Sequence, residues 1–422
     1  MFRKNFISLY NIVMKFEYKI IDSFSLFTAI PENEDENNGL RAQGPYTPIK
    51  LINNTLKINY VSKKNLHPDI IAAICLTAFY PFIKFSATMP LPVSQVFADN
   101  LSLDILPQHI MIDGVYKAFK AITITNINKD LKIYYDKKNT VISYGGGMDS
   151  TSLALLFPNF PLIHSSNLNV KAENKNIMKN FITKNLQNES YIIESNCTEL
   201  CKPGGFTTFT NIFLIPLILS EDLNIKNICC GEILGSSCLS NGKKYFPQFD
   251  PKRRNRWLKF YEKIGLNIFS PIAGCSELIT SNILYKNNLS NDVLYCEANN
   301  GSKCYKCSKC LRKLLELNYH GFEYDLNTFD KTYVTNFLKN RPLYFSHIFI
   351  ETIKNSLNTP IYMKETINDI INIKTDLFNK IYSKSFIYFP NDIKDEIITE
   401  LTKYAQIMSK EEEEYLEQWN MN

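Results

Sequence analysis

The chain has 422 residues, of which 45% are hydrophobic and 21% are charged. This composition is typical of a folded globular protein and excludes an intrinsically disordered chain, and the length predicts two or three domains. The formal net charge of +5 is small for this length, so it gives no indication of a nucleic-acid partner, although it permits a local basic surface.

The chain shows neither a membrane span nor an export signal. No apolar run reaches the length that a bilayer requires, and the apolar patch near the start is short and interrupted by Asn11. We therefore predict a cytoplasmic protein without a membrane partner. In that compartment the eleven cysteines indicate free thiols and a metal site, not a disulfide framework.

Residues 1–136 predict a small α+β domain whose role the sequence does not indicate. Residues 16–30 and 56–60 have the character of strands, and residues 70–80 are apolar enough to form a buried helix.

Residues 141–156, VISYGGGMDSTSLALL, are the first stretch that predicts chemistry. A buried strand ends here, three glycines follow, and a helix begins among hydroxyl and carboxyl side chains. Such a turn directs backbone N–H groups and the positive end of a helix dipole at one point, which is a site for an anion such as phosphate. The Walker A spacing is absent, and the turn has no lysine.

Beyond residue 137, predicted strands alternate with predicted helices, as in a parallel sheet with crossover connections. Ligands of such sheets bind outside the carboxyl ends of the strands. The glycine turn follows the first strand, and Gly231 and Glu232 follow the fourth, so we predict that they share one nucleotide cleft. Asn211 is expected on the wall of that cleft, with ordinary N-capping of the next helix as the alternative. The remaining strands and the helices are predicted at residues 160–166, 170–186, 191–194, 209–219 and 227–230.

A cysteine cluster near residue 300 predicts a metal site. Cys304, Cys307 and Cys310 have two-residue spacers, and Cys296 lies eight residues upstream. Four thiolates at this spacing suit tetrahedral Zn²⁺. An iron–sulfur cluster is the alternative, because ferredoxin-type runs share the C-x2-C-x2-C spacing.

The glycine turn resembles the signature S-G-G-x-D-S of the PP-loop ATP pyrophosphatases. Gly146, Gly147, Asp149 and Ser150 match it, and Gly145 stands where the family usually has serine. The cysteine run ends in C-x-R and resembles the branch of this superfamily that contains 7-cyano-7-deazaguanine synthase and its relatives. The resemblance covers residues 137–322. At Ser276 and Glu277 the chain departs from the family, which carries a lysine there.

The resemblance implies a Rossmann-like α/β fold of the adenine nucleotide alpha hydrolase type with a zinc-binding C-terminal segment. It implies that Gly145, Gly146, Gly147, Ser150 and Thr151 hold the α and β phosphates of ATP.

The resemblance also implies that Asp149 positions Mg²⁺, so that Asp149 and Ser150 are the expected catalytic residues. The implied reaction is that of an ATP-dependent ligase, which splits ATP into AMP and pyrophosphate to activate a carboxylate, on a 7-deazaguanine or another small molecule. An amine or ammonia then attacks to form an amide or nitrile.

Residues 326–422 predict a helical C-terminal region that follows a nucleotide-binding domain at residues 137–325. Ser409 and Glu412 fit a capping box at the start of the last helix. A bundle that binds a partner or forms a homodimer is the alternative interpretation of these helices.

Two other functions remain open at the level of sequence. The first is a PP-loop thiolase or amidotransferase that modifies tRNA or a sugar, with Cys197, Cys201, Cys238 or Cys275 as a loop thiol that carries sulfur. The second is a non-catalytic protein that senses ATP.

Overall fold

The computed structural model describes most residues of the chain. They are 13–31, 38–42, 48–79, 82–83, 86–102, 108–112, 115–119, 123–132, 137–169, 172–202, 208–247, 256–289, 293, 296, 304–356 and 358–421.

The protein is a mixed α/β structure built on a ten-stranded sheet. The strands are β1 (Val13–Ile21), β2 (Phe24–Ile30), β3 (Asn38–Ala42), β4 (Pro48–Leu51), β5 (Thr55–Ile58), β6 (Ser86–Thr88), β7 (Val93–Ser94), β8 (Gln108–Ile112), β9 (Val115–Phe119), β10 (Thr123–Ile124), β11 (Ile127–Asn128), β12 (Asn139–Ser143), β13 (Leu162–Asn167), β14 (Ser190–Ser195), β15 (Cys201–Lys202), β16 (Ile225–Cys229) and β17 (Asn267–Phe269). The order in the large sheet is β10-β6-β1-β2-β5-β14-β13-β12-β16-β17. Most adjacent pairs are parallel; only β1–β2, β2–β5 and β5–β14 are antiparallel among the described strands of this sheet.

Helices connect and cover these strands. They are α1 (Pro68–Phe79), α2 (Gln95–Ser102), α3 (Met148–Leu156), α4 (Ala172–Asn185), α5 (Thr208–Leu219), α6 (Leu234–Ser237), α7 (Arg256–Lys263), α8 (Glu277–Lys286), α9 (Ser308–Tyr319), α10 (Lys331–Lys339), α11 (Ser346–Asn355), α12 (Ile361–Thr366), α13 (Lys394–Thr402) and α14 (Lys410–Glu417). Among the described residues, none of the helices is both long and apolar enough to cross a bilayer.

The last five strands of the sheet are all parallel. Their spatial order is β14-β13-β12-β16-β17, so the chain first adds strands on one side of β12 and then on the other. Strand order reverses between β12 and β16, which leaves a crevice beyond the carboxyl ends of these two strands.

Both faces of this parallel part are buried. Along β12, Val141 belongs to one hydrophobic core and Ile142 to the other, and along β13 Ile163 and Leu162 divide in the same way. Successive side chains of a strand point to opposite faces, so the apolar runs of these strands supply both cores. One core contains α1 and α5, and the other contains α3, α8 and α9.

The N-terminal strands extend the same sheet. Strand β5 pairs with β14 through Ile58 and Ser195, and the backbone N–H of Asn59 donates to the carbonyl of Glu194 at 2.8 Å. The N-terminal α+β region therefore continues the sheet of the parallel strands without a break.

The C-terminal helices pack into the core that contains α3. Phe349 of α11 and Leu401 of α13 are buried in that core together with Leu153. The predicted capping box is confirmed: Ser409 accepts from the N–H of Glu412, and the Glu412 carboxylate accepts from the N–H of Ser409.

Candidate functional site

The glycine turn joins β12 to α3 and leaves helix N–H groups unused. The first helical hydrogen bond runs from the N–H of Thr151 to the carbonyl of Gly147 at 2.9 Å, and Gly147 is the N-cap without a side-chain cap. The N–H groups of Met148, Asp149 and Ser150 come before that bond, so they have no partner within the helix. This is the arrangement that binds anions at helix N-termini.

Two of the glycines have different structural roles. Gly146 has a φ of +76°, and a Cβ there would lie 2.1 Å from Cε of Met178. Gly147 has an extended backbone with φ −84°, and none of the described atoms lies within 4 Å of the Cβ position. The turn therefore requires glycine at residue 146 for its conformation, whereas Gly147 leaves open space beside the helix terminus.

Asp149 lies in the first turn of α3 with one oxygen already bound. Its Oδ1 accepts from Oγ1 of Thr280 at 2.8 Å and lies 3.5 Å from Nζ of Lys313. The Asp149 side chain is 25% exposed, and among the described residues no contact occupies Oδ2. The carboxylate is therefore held by protein donors on one side and is open to a cation on the other.

Behind Lys313 lies a buried group of ionisable side chains that we call the charged cluster. Nζ of Lys313 lies 3.0 Å from Oε2 of Glu316. NH1 of Arg312 lies 3.3 Å from Oε1 of Glu277, whose Oε2 lies 3.3 Å from Nε2 of His347. All five side chains are buried, and charges away from water are costly unless they are paired.

The charged cluster alters the pKa values of its carboxyl groups in opposite directions. Burial opposes ionisation of Glu277, but His347, Arg312 and Lys313 lower its pKa to about 2. Burial raises the pKa of Glu316 to about 7, although Lys313 and Arg312 act against that rise. Burial likewise opposes the charge on Lys313, yet Asp149 and Glu316 raise its pKa above the ordinary value of 10.5. Lys313 therefore keeps its positive charge beside Asp149 at neutral pH.

A cavity of about 590 Å³ opens in front of the glycine turn. Its lining combines the polar region of the glycine turn and of the loop after β16 with apolar side chains; the polar set is Gly145, Gly147, Asp149, Ser150, Gly231, Glu232 and Ser236, and the apolar set is Ile163, Cys197, Ile215, Pro216 and Cys230. The volume falls in the range of small-molecule sites. The cavity lies at the crevice where strand order reverses, as the sequence predicts for residues that follow the first and fourth parallel strands.

His164 lies on the wall of this cavity. Its Nδ1 is 2.9 Å from the carbonyl oxygen of Tyr144, and because a carbonyl only accepts, Nδ1 must carry the proton. Burial lowers the pKa of His164 below its ordinary value of 6.5, with the Tyr144 carbonyl acting in the opposite direction. The ring is therefore neutral at pH 7, and Nε2 can accept a proton.

Some of the other predicted site residues lie at the cavity and others lie away from it. Gly231 packs against the helix terminus, because a Cβ there would lie 3.0 Å from the backbone nitrogen of Ser150. Thr151 is fully buried and its hydroxyl lies 3.0 Å from that of Tyr144, so its side chain does not line the cavity. Asn211 lies within the first turn of α5, not before it, and its side chain and residues 203–207 lie outside the described residues.

The four predicted metal ligands come together. The sulfur atoms of Cys296, Cys304, Cys307 and Cys310 all lie within 4.8 Å of one another. Sγ of Cys304 and Sγ of Cys310 are 3.7 Å apart, and ligands at about 2.3 Å from a tetrahedral ion have a similar separation. The N–H of Cys310 donates to Sγ of Cys307 at 3.4 Å, which supports the thiolate form. The cluster can therefore hold a metal ion such as zinc.

The four thiols considered as sulfur carriers are all buried, not loop thiols at the surface. Burial raises the pKa of Cys197, and it raises that of Cys238 and of Cys275 to about 12. Cys197 does line the cavity, but a buried thiol with a raised pKa is a poor nucleophile.

The sequence did not identify Thr280, Lys313 or the charged cluster. Arg312, Lys313 and Glu316 lie between leucines at helical spacing, a pattern that predicts a solvated face with intrahelical ion pairs. The spacing of residues within this helix does not indicate that a second helix and Asp149 cover that face.

Comparison with known proteins identifies a partial match. No curated protein matches the chain. Residues 256–420 match the sequence model of a family described as "Family of unknown function (DUF6395)". The match begins with α7 and includes the four cysteines and the charged cluster, whereas the glycine turn lies before it.

Proposed function

We propose that the protein is an ATP-dependent adenylating enzyme that forms AMP and pyrophosphate while activating a carboxylate for attack by an amine or ammonia. The observation that supports this most directly is Asp149, whose Oδ1 is held by Thr280 and Lys313 while Oδ2 is open. It lies in the first turn of a helix whose first N–H groups have no partner within the helix, and it lines the cavity.

The strand order supports a Rossmann-like nucleotide-binding sheet of the PP-loop type. Counted along the chain, the parallel strands are arranged 3-2-1-4-5, which is the order of doubly wound nucleotide-binding sheets. In those sheets the ligand lies at the reversal point, which here is flanked by the glycine turn and Gly231.

The lining of the cavity offers groups suited to both adenine and phosphate. Ile163, Ile215 and Pro216 offer an apolar surface for adenine, and the N–H groups at the start of α3 would donate to phosphate oxygens. A magnesium ion bound to Asp149 and the phosphates would offset the charge of the leaving pyrophosphate. Neutral His164 is suited to take a proton from an attacking amine, since its Nδ1 proton is held by Tyr144.

For the cysteine site we propose a single Zn²⁺ ion with a structural role. Sulfur atoms within 4.8 Å of one another suit four ligands on one ion, whereas an iron–sulfur cluster would hold its thiolates farther apart. Four thiolates leave no open position for a substrate, so the site would stabilise the fold around α9 without taking part in the reaction.

The substrate class follows from the resemblance to 7-cyano-7-deazaguanine synthase, so we propose a small carboxylate, of which a 7-deazaguanine is the first to test. A sulfur-transfer reaction is less consistent with the site, because burial raises the pKa of the thiol that lines the cavity, Cys197.

The test is formation of AMP by the purified protein with ATP, Mg²⁺ and a panel of carboxylates, with and without ammonia, followed by mass spectrometry. We expect AMP and pyrophosphate in equal amounts with at least one carboxylate. Asp149→Asn should abolish AMP formation, and the exposed Asp130→Asn should not.

Two outcomes would contradict the proposal. Formation of ADP in place of AMP would identify a different phosphate chemistry. Binding of ATP with no AMP from any carboxylate would instead favour a non-catalytic nucleotide sensor.

A further inference from the structure

Helix α9 carries both a metal ligand and a side chain that contacts Asp149. Cys307 is its N-cap and Cys310 lies in its first turn, where the N–H of Cys310 donates to Sγ of Cys307 at 3.4 Å. Lys313 follows three residues later, about 4.5 Å along the helix axis. Less than one turn of helix therefore separates a metal-binding thiol from the ammonium group.

Lys313 has no freedom to compensate for movement of this helix. Its side chain is 2% exposed, and Nζ lies between Oε2 of Glu316 at 3.0 Å and Oδ1 of Asp149 at 3.5 Å. A shift of the first turns of α9 would therefore lengthen the contact with Asp149, since a buried side chain in a packed interior cannot adopt a new rotamer at low cost.

The rest of α9 does not depend on the metal ion. Leu311, Leu314, Leu315 and Leu317 are fully buried in the core shared with α3 and the C-terminal helices. We therefore expect α9 to persist as a helix without metal, while its first two turns, which carry Cys310 and Lys313, shift together with the cysteine loop.

We propose that the metal ion bound by the four cysteines fixes the Asp149 end of the cavity through Lys313, so that Lys313 is a positioning residue and metal loss weakens binding of a magnesium–nucleotide complex. The nucleotide part rests on the proposed function, but the coupling between the metal site and α3 does not.

The first measurement needs no nucleotide. Amide hydrogen exchange is compared between the metal-loaded and the chelator-treated full-length protein, for peptides that cover α3 and α9. We expect exchange at the start of α3 to become faster by roughly fivefold or more after metal removal, which is the lower end of typical coupling between sites. An α3 whose exchange does not change while α9 is deprotected would overturn the inference.

Variants test whether Lys313 couples the metal site to α3. In metal-loaded Lys313→Gln, α3 should already exchange as fast as in the metal-free protein, with unchanged metal content, and metal removal should have no further effect on α3. If this variant does not fold, Asp149→Asn takes its place, because it keeps the shape of the side chain and removes the charge that Lys313 contacts. Continued sensitivity of α3 to metal in the variant that folds would overturn the role of Lys313.

The second measurement uses Mg²⁺ with α,β-methylene-ATP as the probe. Metal removal and Cys304→Ser should each weaken its binding by on the order of 5- to 150-fold, and Cys75→Ala, a buried thiol in α1, should leave binding unchanged. Equal affinity with and without metal would overturn the coupling. If the metal-loaded protein does not bind the probe at all, the proposed function fails, while the exchange result still decides the inference.

Discussion

Nζ of Lys313 lies 3.5 Å from Oδ1 of Asp149, across the interface between α9 and α3. The second donor to the same oxygen is Thr280 on α8, so three helices meet at one carboxylate. Since Oδ1 is held by both donors, the orientation of the Asp149 carboxylate is set before any ligand arrives. Such preorganisation is the property expected of a group that binds a metal–phosphate complex.

Replacing Thr280 by Val should separate this orientation from the stability of the fold. The change removes the 2.8 Å hydrogen bond to Asp149 at nearly constant volume, so it should cost about 1 kcal/mol of unfolding free energy. Magnesium-dependent nucleotide binding, measured by calorimetry, should fall tenfold or more, by about the 1.4 kcal/mol that this ratio represents.

The matched control is Thr352→Val. The Thr352 side chain is also fully buried, but its hydroxyl donates to the carbonyl of Ile348 in its own helix. This variant should lose a similar amount of stability and keep full nucleotide affinity. Equal losses of affinity in both variants would show that the Thr280 contact has no special role.

Two glycines near the helix terminus should respond differently to alanine. At Gly231 a Cβ would meet the backbone nitrogen and Cα of Ser150 at 3.0 and 3.1 Å, so α3 would have to move. We expect Gly231→Ala to lose about 1–3 kcal/mol of unfolding free energy and most nucleotide binding.

Gly147→Ala is the counterpart of this change. The backbone there is extended and the Cβ would meet none of the described atoms within 4 Å, so stability should change by about 0.5 kcal/mol or less. The methyl group would instead enter the space beside the helix N–H groups and weaken phosphate binding. Urea denaturation and binding of pyrophosphate distinguish the two variants, and a strongly destabilised Gly147→Ala would contradict the geometry of the turn.

Glu316 should make stability depend on pH near neutrality. Its pKa is raised to about 7 in the folded protein from an ordinary value of 4.5, so folding favours the protonated form. This contribution is fully present below pH 4.5 and is lost as pH rises through about 7, with an upper magnitude of about 3 kcal/mol. Glu316→Gln should therefore gain stability relative to the wild type between pH 5 and pH 8.

The comparison of the two proteins at each pH isolates this effect. Burial lowers the pKa of His164 and His320, so these histidines change stability with pH in the opposite direction, but they contribute equally to both proteins. Glu400→Gln, which removes a partly exposed carboxyl paired with Lys403 on α13, serves as the control for the loss of one negative charge. A difference for Glu316→Gln that does not vary with pH would mean that this carboxyl titrates normally.

Cys307→Ser should remove the metal ion. We expect metal content to fall from about one ion per chain to nearly none by mass spectrometry, with a lower melting temperature, because a four-thiolate site contributes directly to folding. Cys275→Ala removes a buried thiol outside the cluster and should keep the metal. Unchanged metal in Cys307→Ser would exclude the proposed ligand set.

The sequence predicts the parallel part of the fold well. The predicted helices at residues 170–186 and 209–219 correspond to α4 and α5, and the predicted strands end within a residue or two of β13, β14 and β16. Apolar runs that end at glycine turns are strong local signals. Strand β17 has only three residues and was not predicted, because so short a run shows no period.

The parts of the candidate site that lie in local motifs could be predicted from the sequence, whereas the parts formed by long-range contacts could not. The glycine turn and the four cysteines are local motifs. The glycine turn lines the cavity, and the four cysteine sulfur atoms come together as their spacing indicates. The other members of the site lie far from Asp149 in the chain: Thr280, Lys313 and His347 follow it by 131, 164 and 198 residues. Thr280 and Lys313 contact Asp149 directly, whereas His347 belongs to the charged cluster behind Lys313. No periodicity within one helix can show that a charged face is covered by another helix.

The C-terminal region shows a further limit. The last helix begins where the capping box predicts, but within the region predicted to be helical the chain forms only a short 3₁₀ turn at Asp376–Asn379. At the start of this turn the Thr375 hydroxyl donates to Oε2 of Glu351, a tertiary contact that sequence spacing does not indicate.

The pairing of β5 with β14 has a practical consequence for shortened versions of the protein. Backbone hydrogen bonds from Asn59 to Glu194 and from Asn196 to Lys57 pair β14, which would otherwise be an unpaired edge strand of the parallel part of the sheet. Trimming the chain at residue 137 would leave the edge of β14 unpaired, and unpaired strand edges recruit other chains. Such a fragment is expected to aggregate, so biochemical work should retain the N-terminal region.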